Sequence, residues 1–289
     1  MTFDAFIEAA WNDHGDRPAE VADRLEASTG IVATADQIAP YARLATHVLG
    51  EHLGEWERGV RLLASLRGSP ACDGGAAAQG AIARDIGALR YAGGDAHAID
   101  TLALDDRIAA IATASAALAG RGEFERALAA YERALTLADD GLPDGSPALR
   151  ALAIGGNNLA CVLEEKADRD AAETRGMVAA AEAALHYWKR AGTWLEEERA
   201  HYRLARSLLR ADRPHDAAAS ARACIDLCER NGAPAFERFF GHAVLAITQR
   251  ACGDAGACEA SRREALRWHG EIPADERHWC DADLREITG

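Results

Sequence analysis

Apolar residues recur at intervals of three and four along the whole chain, and no run of strict apolar and polar alternation interrupts them. A spacing near 3.6 buries one stripe of a helix, whereas a strand buries every second residue, so the pattern leads to an all-α fold. Composition agrees where it bears on the point: 67 of 289 residues are Ala, the strongest helix former, and Val, Ile and Thr are together far fewer. Helix starts are expected at Asp16 with Pro18, Thr34 with Gln37, Ser69 with Pro70, Ser146 with Pro147, and Pro273 with Glu276, which have the form of caps, capping boxes and first-turn prolines. Stops are expected at Gly68, Gly93-Gly94, Gly120 and Asn231-Gly232. This gives about a dozen helices with short connections, the looser ones being 69 to 75 and 139 to 147, neither long enough to separate independent domains.

The helices pair in a repeating way. The clearest unit runs from Ile108 to Ala138: an Ala-rich helix, the turn Gly122-Glu123-Phe124, then a second helix carrying Ala127, Tyr131, Ala134 and Leu135. This unit resembles the tetratricopeptide repeat, with Ala114 and Ser115 at the first-helix slots and Gly122, Phe124, Ala127, Tyr131 and Ala134 following in order. Asn157-Asn158-Leu159-Ala160 with Leu163 resembles the longer, kinesin-light-chain type of repeat, and Leu204-Ala205 with Ala217 and Leu245-Ala246 with Cys258 restate the pattern. Turn markers at 54, 94, 122, 167, 212 and 253 lie mostly further apart than the roughly 34 residues of the standard repeat, and the interval from 94 to 122 is short. The resemblance implies a right-handed α-solenoid, a superhelix of antiparallel hairpins, over 1–289 as a single domain. Residues 1–34 read as N-terminal capping helices, 35–270 as five or six hairpins and 271–289 as a C-terminal cap.

Charge and cysteine usage narrow the function. With 46 Asp and Glu against 32 Lys and Arg the net charge is −14, which argues against a general nucleic-acid binder or a polybasic membrane-surface protein. The most apolar run, Ile108 to Gly120, is too short and Ala-rich for a membrane span. The opening residues carry acids where a signal or transit peptide carries bases, and seven irregularly spaced cysteines do not form a disulfide framework, so a reducing, bacterial cytoplasm is expected.

The resemblance also implies that first helices line a concave groove for peptides or other extended ligands. Arg199, Arg203, Arg206 and Arg210 fall at i, i+4, i+7 and i+11 and occupy an arc of roughly 60° on a helix beginning at Trp194. His201, Leu204, Ala205 and Leu208 face the other way, so the Arg stripe, with Tyr202, reads as exposed and groove-facing. Guanidinium groups in a row suit carboxylates or phosphates, and the ligand is expected to be an acidic peptide, a chain carboxyl terminus or an anionic small molecule. The competing reading pairs these arginines with Glu164 and Glu165 across the helix interface. Asn157 and Asn158 are further ligand candidates in the resembling slots.

No catalytic, metal or cofactor site is expected. His47 and Glu51 share a helical face, but His52 lies about 140° from His47 at α-helical spacing and does not complete a metal site. Cys224 and Cys228 fall on the stripe of Ala217 and Ala221 and read as small core residues; Cys252 and Cys258 lack a second pair at zinc spacing. Neither a nucleophile elbow nor a phosphate-binding Gly-rich loop is present. The expected function is therefore a protein- or peptide-binding scaffold, with a ligand-sensing regulatory subunit acting on a separate chain and an all-α enzyme as alternatives.

Overall fold

The computed structural model describes residues 1–72 and 75–289; the looser segment expected at 69 to 75 includes Asp73 and Gly74, which lie outside these. Among the described residues there are fourteen α-helices and no strand. They are α1 (Phe3–Asp13), α2 (Pro18–Ala27), α3 (Ala35–Thr46), α4 (Trp56–Leu66), α5 (Ala76–Ala92), α6 (Leu104–Gly120) and α7 (Phe124–Leu137). Then follow α8 (Pro147–Glu165), α9 (Ala171–Ala191), α10 (Trp194–Arg210), α11 (Pro214–Asn231), α12 (Ala235–Ala251), α13 (Ala255–Glu271) and α14 (Asp281–Thr288). None is long and apolar enough to cross a membrane. The chain gathers into two compact units, Met1–Leu159 and Ala160–Gly289, the division falling within α8.

Helix ends follow the local chemistry in most places. Thr34 and Gln37 form a capping box at the start of α3, Asp170 and Glu173 another at α9, and Thr193 and Glu196 a third at α10. Pro18 and Pro147 open α2 and α8, and Gly232, at φ 60°, closes α11. Two expected starts do not hold. Pro70 sits in a turn, α5 beginning at Ala76, and Pro273 precedes a turn and a short 3-10 segment before α14.

In the first unit, Leu25, Ile38, Leu44, Leu49, Leu63, Ile82 and Leu89 build the core among α2 to α5. Tyr41 is buried with them because its hydroxyl donates to the Leu25 carbonyl oxygen. Between α6 and α7 the buried Ser115 hydroxyl donates to Ala127 O at 2.8 Å, and Tyr131 donates to Leu152 O at 2.7 Å. The short interval between the turns at 94 and 122 has a physical reason: residues 95–103 form turns where a second helix is expected, with only Ile99 reaching the core.

In the second unit α10 packs on α9 and α11, and α12 on α11 and α13. A core around Phe239, Ala243, Ile247, Ile272, Cys280 and Ile287 fastens α14 to α12. The turn from α10 to α11 passes through Asp212 at φ 56°, the only non-glycine residue with positive φ among those described. A side chain is strained there, so Asp212→Gly is expected to raise stability by about 1 kcal/mol or less, read by urea unfolding; a loss would show that the carboxylate holds the turn.

Candidate functional site

The first unit contains a pocket of about 680 Å³. One face of each of four helices lines it: Ala39, Pro40, Arg43 and Thr46 of α3, Ala81, Arg84 and Asp85 of α5, Ala109, Thr113, Ala116 and Ala117 of α6, and Pro147, Arg150, Ala151, Ile154, Gly155 and Asn158 of α8. Trp11, His47 and Glu51 close one end, and no residue of α2, α4 or α7 contributes. Spacings of three and four within each helix are what a helix gives when one stripe faces a shared concavity. Nine of the twenty lining residues are Ala, Pro or Gly, so backbones approach the space closely there.

The charged groups of the lining are Arg43, Arg84 and Arg150 against Glu51 and Asp85. Arg84 pairs with Asp106 at 2.8 Å. The Arg43 guanidinium lies over the Trp11 ring, 6.0 Å from its centroid, and its pKa is lowered, first by burial among the pocket walls and then by the like charge of Arg150. Burial pushes the Asp85 carboxyl up to about 7 against the pull of Arg84 and Arg43, so near neutrality it compensates those cations only in part. The pocket thus offers a small-residue wall and a cationic pair, Arg43 and Arg150, that repel one another.

At the Trp11 end the backbone departs from α-helical geometry. His47 to His52 form a π-helical turn in which the Leu53 N–H donates to Val48 O, five residues back, at 3.1 Å. In such a turn residues five apart come onto one face, and that corrects the expectation for His52: its Nε2 lies 3.1 Å from His47 Nε2. His14, at the end of α1, joins them, and one ring nitrogen from each of the three lies within 4.8 Å of the others. His47 Nδ1 is 2.8 Å from Glu51 Oε2, and His14 Nδ1 meets the Trp11 carbonyl oxygen. Glu51 is held in place because Gly120 has no side chain; a Cβ there would fall 2.4 Å from Glu51 Cγ.

The α10 residues lie elsewhere, in the second unit, and the expected exposed stripe is not what forms. Arg203 donates to Glu164 at 2.5 Å, and the buried Ser207 hydroxyl donates to the other oxygen of that carboxylate at 2.5 Å. Arg206 donates to Glu286 of α14 at 2.7 Å and lies 3.8 Å from Asp283, to which Tyr202 donates at 2.8 Å. Arg199 is exposed but donates to the buried Glu237 at 2.7 Å. Arg210 is exposed and borders a small surface pocket with Arg206, Arg250 and Glu286. The C-terminal helix and Glu164 have supplied the carboxylates that compensate the half-buried charges of Arg203 and Arg206. Of the two Asn candidates, Asn158 lines the first-unit pocket; Asn157 Nδ2 is 3.5 Å from Asn158 Oδ1.

Sequence reasoning missed Arg43, Arg84, Asp85 and Arg150, which are spread over three helices and form no stripe on any one of them. His52 was set aside for another reason, because periodicity assumes one helical pitch and the π turn changes it, and His14 was missed because it comes from the end of α1. The sequence matches no family model, and none of the curated proteins matches it.

Proposed function

We propose that this chain is a binding module of tetratricopeptide-like hairpins, working in the cytoplasm, whose first-unit pocket holds an extended protein or peptide ligand bearing a carboxylate. The observation that carries this reading is a pocket walled by one face each of α3, α5, α6 and α8 that gathers Arg43, Arg84 and Arg150 on its lining. An anion beside Arg43 offsets the desolvation and the like charge of Arg150 that lower its pKa, and a carboxylate can accept from more than one guanidinium. The Ala and Pro wall lets a backbone lie close, and Asn158 supplies an amide that can donate and accept along it. The proposed ligand site therefore does not include the Arg stripe of α10, in which Arg199, Arg203 and Arg206 pair with carboxylates of the second unit.

Selection from a random peptide library tests the reading. Peptides enriched on the wild-type chain are expected to be acidic or to need a free carboxyl terminus. They are expected to bind the Arg43→Glu, Arg150→Glu double variant at least tenfold more weakly, about 1.4 kcal/mol, with an unchanged melting temperature. Equal binding to both proteins, or enrichment with no acidic preference, overturns it.

One observation favours a second reading, an all-α enzyme. Asp85 lies half-buried in the pocket with its pKa raised to about 7, where a carboxyl can act as general acid or base. Asp85→Asn separates the two: it leaves peptide binding in place for a binding module and abolishes turnover for an enzyme.

A further inference from the structure

The histidine cluster at the end of the pocket has a construction that ligand binding by Arg43 and Arg150 does not use. His14, His47 and His52 come from the end of α1 and both ends of one π-helical turn, and all three are half-buried. Two of the rings have their Nδ1 engaged, His47 with the Glu51 carboxylate and His14 with the Trp11 carbonyl oxygen, so Nε2 is the nitrogen left for an ion, and His47 Nε2 already meets His52 Nε2. A carboxylate or carbonyl behind an imidazole fixes its tautomer and orientation and raises its basicity, the arrangement that supports a ligating histidine.

The spacing fits as well. Ring nitrogens at 2.0–2.1 Å from a tetrahedral zinc ion stand about 3.3 Å apart. His47 and His52 already present theirs at 3.1 Å, and the third nitrogen completes a set within 4.8 Å, so ligation requires a contraction that side-chain rotation can supply.

We infer that His14, His47 and His52 form a binding site for one divalent transition-metal ion of the zinc class, oriented from behind by Glu51. Three imidazoles leave one tetrahedral position to water or to a donor on a bound molecule. His47 and Glu51 both line the pocket, so that position lies at the pocket's edge. The inference rests on the cluster's own geometry and holds whichever ligand the pocket takes.

Cobalt(II) is the probe, because its visible spectrum reports both the geometry and the ligand atoms. The full-length chain, stripped with chelator, is expected to develop the intense visible bands of tetrahedral cobalt, saturating at one ion per chain and displaced by zinc. His52→Gln and His14→Gln are each expected to abolish the bands at the same concentrations, while Glu51→Gln weakens affinity about 10–100-fold. Zinc is expected to raise the melting temperature of the wild type and leave that of His52→Gln unmoved. The wild-type titration decides the matter even where a variant fails to fold. Absence of the tetrahedral spectrum overturns the inference; so do its persistence in folded His14→Gln and His52→Gln, and a sulfur-to-cobalt charge-transfer band, which would place the ion on one of the cysteines.

Discussion

Arg203→Glu is expected to cost about 3–5 kcal/mol of unfolding stability, the largest loss from any single charge change on α10. The side chain is buried against Glu164 of α8, which also accepts from Ser207. Burial already holds the Glu164 carboxyl above its usual pKa, with Arg203 and Ser207 pulling it back. A carboxylate in place of the guanidinium sets two acids face to face and leaves neither with a donor other than the Ser207 hydroxyl. The intact pair contributes little against an apolar replacement, since both charges were desolvated to form it; the loss comes from leaving one charge behind. Two comparisons make the measurement specific. Arg210→Glu, at an exposed position, is expected to stay within about 0.5 kcal/mol of wild type. Arg203→Glu combined with Glu164→Arg, which restores the opposite charges in exchanged positions, is expected to recover part of the loss. Urea unfolding followed by circular dichroism reads all three. A cost for Arg203→Glu no greater than that for Arg210→Glu would return the stripe to the status of a solvated face.

That result bears on function, because an Arg stripe at i, i+4, i+7 and i+11 is what a ligand-gripping helix face and an internally neutralised interface both look like in sequence. Periodicity fixes which way a side chain points but not what stands opposite. The carboxylates that meet the stripe come from 38 and 39 residues away for Glu237 and Glu164, and from about 80 for Asp283 and Glu286. None of these distances is encoded locally.

The fold was more legible because its signals are local. Gly54, Gly94, Gly122 and Gly253, which mark turns by composition alone, all take positive φ in the structure, and Asp212 does so as well. The Ala residues at the repeat positions, among them Ala114, Ala127, Ala134, Ala205, Ala217 and Ala246, are all 0 or 1% exposed. The same logic fails where a position depends on tertiary packing. Residues 95–103 carry enough polar and turn-forming types to lose their helix, and the π turn at His47 to His52 comes where Gly50 lets Leu89 approach so closely that a Cβ would stand 3.0 Å from it. The pocket belongs to this second class: Arg43, Asp85 and Arg150 become neighbours only when α3, α5 and α8 converge.

Glu198→Gln is expected to stabilise the protein, and to do so only above the ordinary titration range of a glutamate. Glu198 is 1% exposed on α10, one carboxylate oxygen has no hydrogen-bond partner, and its pKa is pushed up to about 8, first by burial and then by the charge of Glu237, with Arg199 opposing. Below about pH 4.5 the carboxyl is protonated in both folded and unfolded chains, and the substitution is expected to change little. Between pH 4.5 and about 8 the unfolded chain releases the proton while the folded one retains it, so the unfolded state binds fewer protons and wild-type stability falls as pH rises. Above pH 8 that loss is complete. Gln is neutral throughout and carries no such loss, so the stability difference between variant and wild type isolates this group from every other titration in the chain. At about 1.4 kcal/mol per pH unit across the window, with allowance for relaxation and water entry, the difference is expected to grow from near zero to about 2–5 kcal/mol at pH 8.5. Urea unfolding of both proteins at half-unit pH intervals measures it. A difference that stays flat with pH would mean that the carboxylate ionises in the folded chain as readily as in water, and that α10 yields enough at Glu198 to admit solvent.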